Sequence, residues 1–347
     1  MADTPCLGVA ICTFNSADVI LDCLESLLAS TGVALRIVIA DNASGDNTVT
    51  LLRDWAAGRQ AYLAPENCPF AFTPAARVAP IPLDGTASPD LPHRVRLLET
   101  GVNGGFAAGV NAALAVLAQD ADVDRFWILN PDSMVPPDTA QAFARASVPE
   151  AGFALMGGRV VYFDTPDQIQ IDGGTLNRWT GVTGNLNVRG PHPGAPEPDP
   201  ADMAFITGAS MVASRDFIAT AGPMPEDYFL YYEEVDWALQ RGALPLAYCP
   251  GGVVYHRAGT AIGSPTPWRP ASPFSLYFKH RGRLRFMGRH FPAGVPTALL
   301  YSLAKAGQLL LKGYPVEGWT VLAASLGLPP SAQVRARLSP EAQKRAF

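Results

Sequence analysis

Four apolar runs of strand length, each closing on polar residues, punctuate the first 130 residues of the chain. "CLGVAICTF" leads into the helical "NSADVILDCLESLLAS", and "LRIVIADNAS" into the turn "SGDN" and the helical "TVTLLRDWAAG". "HRVRLLET" and the turn "GVNGG" precede "FAAGVNAALAVLAQ", and "RFWILN" ends in "PDSMVPPD". In the first helix Val19, Ile20, Cys23, Leu24, Leu27 and Leu28 share one face, with Ser16 the expected N-cap. Strands alternating with helices predict an α/β fold with a mostly parallel central sheet covered on both faces. Ligands of such sheets sit beyond the carboxyl ends of the strands. Thr13, Asn15, Asp41, Asn42, Asn103 and Asp132 all fall at those ends and are expected to line one crevice.

Composition narrows the function classes. With 48% hydrophobic and 16% charged residues over 347 positions, the chain can bury a sizeable core. A net charge of -5 and no basic block near the N-terminus argue against nucleic acid as a partner. The five cysteines form no CxxC pair, which fits a reducing compartment better than a disulfide framework or a structural zinc site. The N-terminus lacks a signal-peptide pattern, and no apolar run reaches about 18 residues. The expected setting is the cytoplasm.

Residues 64–94 break the rhythm with a proline-dense stretch that reads as a surface insertion loop. "GPHPGAPEPDP" reads as a second loop, and "FALMGGRVVYF", "QIQIDGGTL" and "GVTGNLNVRG" as antiparallel strands or hairpins. After residue 270 the pattern turns helical. The expected division is therefore a nucleotide-binding and catalytic domain over 1–265 and a helical C-terminal extension over 266–347.

A nicotinamide-binding unit would place G-x-G-x-x-G after the first strand, but "TFNSAD" stands there without a glycine. "ICTFN", "IVIADNASGDNT", "NGGFAAGVN", "LNPD", "ITGASMVASRDFI", "FLYYEEVDWALQRG" and "VVYHRAGTAIG" instead occur in an order that resembles glycosyltransferase family 2. Within it the chain looks most like the bacterial rhamnosyltransferase branch, over about residues 5–290. The resemblance implies a GT-A fold, a nucleotide-sugar donor, a divalent metal and inversion at the anomeric carbon.

It also implies roles. Asp41 matches the acid that receives the base or ribose, with Thr13, Asn15 and Asn42 lining the same pocket; the alternative is that Asp41 only caps its turn. Asn103, Gly104 and Gly105 match the segment beside the diphosphate, with Asn111 behind them. Glycines there permit close approach, and a helix start favours anions; tight turning and packing explain them as well. In "LNPD", Asn130 replaces the first acid of the commoner D-x-D, placing it beside the nucleotide, and Asp132 and His256 match the metal ligands. Oxygen-rich coordination with one imidazole suits Mg2+ or Mn2+. One carboxylate predicts weak metal binding until the donor diphosphate completes the shell.

"YYEEVDW" supplies acids for the acceptor half of the reaction. Inverting transfer needs a base for the acceptor hydroxyl. The family pattern is Glu-Asp-x-Asp, with its second acid as base, and this chain carries Glu234 there. Glu234 is the first candidate, with Asp236 and Glu233 as alternatives. Gly208 and Ala209 would let a sugar approach the backbone, or merely bend a packed strand. Arg281 and Arg285 suit a diphosphate, an anionic lipid or an exposed helix surface equally. The segment 295–330, with Lys305 and Lys312, fits a peripheral membrane contact, or a helical subdomain or homo-oligomer contact.

The expected function is thus an inverting, metal-dependent glycosyltransferase. Its expected donor is dTDP-rhamnose, and its acceptor a cell-surface polysaccharide or lipid-linked glycan. A UDP-hexose or UDP-furanose donor is the rival within the class. A catalytically silent nucleotide-sugar binder and a nucleotidyltransferase are the rivals outside it.

Overall fold

The computed structural model describes residues 4–77, 79–257 and 270–347. The end of the motif "VVYHRAGTAIG" and the 265/266 boundary lie outside the described residues. The strands are β1 Cys6–Thr13, β2 Ala34–Asp41, β3 Arg94–Glu99, β4 Arg125–Leu129, β5 Ser133–Met134, β6 Leu155–Tyr162, β7 Ile169–Ile171, β8 Gly174–Leu176, β9 Thr183–Asn185, β10 Ser210–Ser214 and β11 Ala247–His256. The helices are α1 Ile20–Leu28, α2 Thr48–Ala56, α3 Phe106–Leu117, α4 Thr139–Arg145, α5 Arg215–Ala221 and α6 Glu233–Leu239, followed by α7 Pro273–His290, α8 Val295–Leu311, α9 Pro315–Ser325, α10 Ala332–Arg335 and α11 Pro340–Ala346.

The main sheet runs β3-β2-β1-β4-β10-β6-β11-β5, with β7 paired to β6. Its first four strands are mutually parallel, as the alternation of strand and helix requires. β10 then enters antiparallel between β4 and β6, while β6 and β11 are parallel. β8 and β9 form a separate antiparallel pair.

Period-two alternation divides the core between the two faces. Leu7, Val9 and Ile11 of β1 and Trp127 and Leu129 of β4 pack with Ile20, Leu24 and Leu27 of α1 and Trp55 of α2. Ala10, Phe126 and Ile128 face the other way, onto Val110, Ala113 and Leu117 of α3. Phe286 and Met287 of α7 and Ala298 of α8 join that second cluster, so the C-terminal helices share the core of the sheet. One local expectation is corrected. Ser16 caps α1 with its carbonyl, which accepts from Val19 and Ile20, while its hydroxyl accepts from Phe14.

The described residues between 64 and 93 hold no helix or named strand, in keeping with their prolines, and β3 begins at Arg94. The loop is anchored at two points. Phe70 and Phe72 pack with Met134, Val161, Phe163 and Tyr255 on the β5–β6–β11 side of the sheet. Further on, Arg77 lies over the Trp55 ring and pairs with Glu25 at 3.3 Å. No helix among the described residues is long and apolar enough to cross a membrane.

Candidate active site

Contacts between side chain and backbone bring the strand ends to one place. At the end of β1 the Thr13 hydroxyl donates to Asp41 Oδ1 at 3.0 Å. Asp41 also accepts from the Ser44 hydroxyl and backbone N–H, at 2.6 and 2.9 Å. Its carboxylate therefore shapes the turn after β2, and Oδ2, with one partner, keeps room for a second donor. Asn15 accepts from the N–H groups of Gly45 and Asp46, tying the two loops together. Asn42 donates to the Gly105 carbonyl at 2.7 Å, and Asn103 Oδ1 accepts from the Gly105 N–H at 2.9 Å.

Gly105 is where α3 meets the acidic motif. It has φ 92, and a Cβ there would lie 2.3 Å from the Phe229 carbonyl oxygen, so only glycine fits. The next N–H, that of Phe106, donates to that same oxygen at 3.0 Å. Two N–H groups at the α3 start are thus already engaged within the protein. Gly104 approaches Ala108 closely. Asn111 spends its side chain on Met224 and Glu226 and does not face the crevice.

The loop after β4 carries the second group. Asn130 donates its N–H to the Ala209 carbonyl at 3.0 Å, and a Cβ at Gly208 would sit 3.1 Å from the Phe106 ring. The turn of residues 207–209 therefore bridges the start of α3 and the Asn130–Asp132 loop. Asp132 Oδ1 lies 3.0 Å from His256 Nε2, with the residues 9% and 6% exposed. Gln170 Oε1 sits 2.9 Å from Nδ1 of the same ring and so orients it, with Nε2 toward Asp132. Asn130 Nδ2 approaches Nε2 at 3.3 Å.

Two ligand atoms at about 2.1 Å from an octahedral ion, at right angles, are about 3.0 Å apart. The Asp132–His256 pair has that spacing and that donor chemistry, and so fits a hard divalent ion. Among the described residues no third His, Cys, Asp or Glu joins them.

The acids follow a strained turn. Phe229, Tyr231 and Tyr232 adopt φ 66, 67 and 76, in the left-handed region that side chains larger than glycine rarely occupy. Packing holds them there. The Tyr232 hydroxyl donates to the Gly181 carbonyl at 2.7 Å, and the Tyr231 and Ser275 hydroxyls lie 2.6 Å apart.

Glu233, Glu234 and Asp236 then enter the first turn of α6 into different environments. Glu233 is buried with Oε2 unpartnered; burial, then the adjacent Glu234, pushes its pKa well up. Glu234 is only partly buried. Burial raises its pKa while nearby N–H groups and the Lys279 ammonium draw it back. Asp236 is 0% exposed and accepts from Tyr228, Gln240, Arg289 and His290 at 2.6–2.8 Å. Despite its burial these donors hold it below the usual carboxylate range.

The fold is of the GT-A type. The chain superposes on the mannosyltransferase PcManGT from Pyrobaculum calidifontis, solved with GDP-Man and Mn2+, with TM-score 0.50 at 17% identity over 94% of this chain and 87% of that one. It also matches GalNAc-T7, solved with UDP, GalNAc and Mn2+, with TM-score 0.52 at 11% identity, over 97% of this chain and 54% of that one. The model for glycosyl transferase family 2 matches residues 8–67, from β1 through α2. An N-acetylglucosaminyl-diphospho-decaprenol L-rhamnosyltransferase of Mycobacterium tuberculosis is 25% identical over 298 residues, 80% of this chain and 82% of that protein. These likenesses mark the chain as a glycosyltransferase, similar to family 2 over residues 8–67.

Several residues around the crevice carry no sequence signal. Gln170 lies in a short alternating strand and shows its role only through the His256 ring. Arg289 and His290, more than fifty residues beyond Asp236, reach it only because α7 packs beside α6. Arg281 and Arg285 are engaged elsewhere, with the Ala346 carbonyl and with Asp227.

Proposed function

We propose that this chain is an inverting, metal-dependent transferase that moves rhamnose from dTDP-rhamnose to a sugar carried on a lipid diphosphate. The observation that carries the reading is the opposed pair at 3.0 Å, Asp132 Oδ1 and His256 Nε2; in this reading Glu234, after the turn whose Phe229 carbonyl meets the start of α3, serves the same crevice. The transferred sugar and the acceptor class rest on the Mycobacterium tuberculosis rhamnosyltransferase, whose acceptor is named as a diphospho-decaprenol-linked N-acetylglucosamine; dTDP as the nucleotide rests on the family resemblance of the motifs.

In this reading the nucleotide lies over the ends of β1 and β2. Asp41 Oδ2 accepts from the base or ribose, and Asn15, Asn42, Asn103, Gly104 and Asn130 shape the walls. Asp132 and His256 would hold Mg2+ or Mn2+, which would supply positive charge against the departing diphosphate. Glu234 takes the proton from the acceptor hydroxyl as its oxygen attacks the anomeric carbon from the face opposite the leaving diphosphate. Its raised pKa suits a base working near neutrality. Asp236 is excluded from that role, because four donors occupy its lone pairs and favour its charged form. Glu233, walled in beneath the turn, keeps its own proton and spares Glu234 a second adjacent charge. The enzyme would work at the cytoplasmic face of the membrane, where such an acceptor is presented.

The test is transfer from a panel of dTDP-, UDP- and GDP-sugars to a synthetic sugar–diphosphate–lipid acceptor, with Mn2+ or EDTA. Rhamnose transfer from the dTDP donor, abolished by EDTA, is expected. Equal transfer in EDTA would overturn the metal role, and consumption of only a UDP-hexose or UDP-furanose would overturn the donor.

A further inference from the structure

α7 carries two sets of cations on opposite sides. Arg281, Arg285 and Arg289 are engaged by the Ala346 carbonyl and by Asp227 and Asp236. Lys279 and Arg283, four residues apart and so one above the other on the helix, have no carboxylate within ion-pair distance among the described residues. Arg283 is the more unusual. It is 3% exposed, its Nε has no hydrogen-bond partner, and its Nη2 donates only to neutral groups, Ser302 Oγ at 2.6 Å and His280 Nδ1 at 2.7 Å. Burial and the surrounding cations push His280 down to about 2, so it supplies no charge and accepts from the guanidinium.

A buried cation without a counter-ion is costly in a folded chain. It persists where a ligand supplies the missing charge. Lys305 adds a third cation, from α8, one turn beyond the Ser302 that binds Arg283. Its ammonium donates to Gln308, a neutral group. Lys279 is solvent-exposed, and Lys305 partly so, which leaves the cluster open on one side.

The cluster adjoins the acids. A Cβ at Gly282 would lie 2.8 Å from the Tyr231 carbonyl oxygen, so α7 rests directly on the turn that precedes Glu233 and Glu234. Lys279 is the cation acting on Glu234, and Arg283 acts on the Tyr232 hydroxyl. α8, the helix that carries Lys305, and its neighbour α9 expose Leu300, Leu311, Val316 and Trp319, at 65, 91, 48 and 66%. Cations beside an acid, on helices that also expose apolar side chains, match the three kinds of group in a sugar–diphosphate–lipid: hydroxyl, anion and hydrocarbon.

We infer that Lys279, Arg283 and Lys305 bind the diphosphate of a lipid-linked acceptor and so set its sugar hydroxyl at Glu234. This rests on the transferase reading above, but it assigns a second anion site, separate from that of the donor.

The test measures binding of farnesyl diphosphate and of inorganic pyrophosphate by calorimetry on the full chain. EDTA is present, to keep the metal-dependent donor site out of play. Wild type should bind farnesyl diphosphate at least tenfold more tightly than pyrophosphate, and the Lys279→Ala/Lys305→Ala variant should lose about tenfold or more. Arg281→Ala, on the opposite side of α7, should bind as wild type does. Equal binding of the two ligands overturns the lipid-linked assignment, and equal binding by wild type and the double variant overturns the site. In turnover the double variant should raise the KM for the lipid-diphosphate acceptor but not for a neutral alkyl glycoside, with donor KM unchanged; because removing Lys279 also lets the Glu234 pKa rise, its kcat–pH profile should shift upward with either acceptor. Lysine-dependent binding without consumption of any nucleotide sugar would sink the transferase reading and leave the anion site standing. Donor hydrolysis with no lysine-dependent binding would do the reverse.

Discussion

His256 Nδ1 lies 2.9 Å from Gln170 Oε1, so a residue on the separate strand β7 turns the ring whose other nitrogen faces Asp132. Removing that acceptor frees the ring to rotate and to exchange tautomers. Gln170→Leu is expected to weaken Mn2+ affinity, measured by electron paramagnetic resonance with the nucleotide present, by roughly 10–100-fold. Asp132→Ala should abolish it. Unchanged affinity in Gln170→Leu would mean that the ring is fixed by other contacts.

The two glutamates should separate by function. Glu234→Gln is expected to lower transfer by about 10²–10⁴-fold while donor binding survives. For wild type, kcat should rise with pH through a pKa above the ordinary value of 4.5, because the base must be unprotonated and burial raises it. A flat profile would remove Glu234 from the role.

Glu233 predicts a stability effect with a defined sign. Its carboxyl keeps a proton in the folded state that the unfolded chain releases near pH 4.5. The unfolded state therefore binds fewer protons above that pH, and wild-type stability falls as pH rises. Glu233→Gln removes this loss. It should melt higher than wild type at pH 8, with the difference closing toward pH 4.5.

Asp236 should behave as a structural group. Replacing it by Ala leaves Arg289 with Asp227 alone and takes the acceptor from Tyr228, Gln240 and His290, and should cost about 1–3 kcal/mol in chemical denaturation. At temperatures where the variant is still folded, kcat should stay within a small factor of wild type. A loss of kcat comparable to that of Glu234→Gln, with folding intact, would return Asp236 to the chemistry.

Gly105 and Gly101 form a matched pair, since both have positive φ but only Gly105 lies under the Phe229 backbone. Gly101→Ala meets open space and should cost about 1 kcal/mol of backbone strain. Gly105→Ala must push the acidic turn off α3 and should lower both melting temperature and kcat. Equal effects from the two would show that the close approach at Phe229 does not matter.

Much of this architecture is legible in the amino-acid order, because local physics writes it there. The four strand-ending runs, the Ala-rich α3 and the turn residues after each strand specify the parallel half of the sheet, and topology then places Thr13, Asp41 and Asn130 at one edge. The proline density of 64–94 likewise dictates a loop. What the loop does was decided elsewhere: Phe70 and Phe72 find an apolar surface built by β5, β6 and β11, which no local pattern announces.

The chemistry-bearing residue types were determined by sequence, but their division of labour was not. "EEVDW" presents three carboxyls that differ little on paper. Only the packed structure buries Glu233 without a partner, leaves Glu234 partly open and surrounds Asp236 with four donors, because those donors come from residues near in space and far along the chain. The cations of α7 divide for the same reason. Helical spacing places 279 and 283 opposite 281 and 285, but which side meets acids depends on what α7 packs against, and that is a property of the folded chain alone.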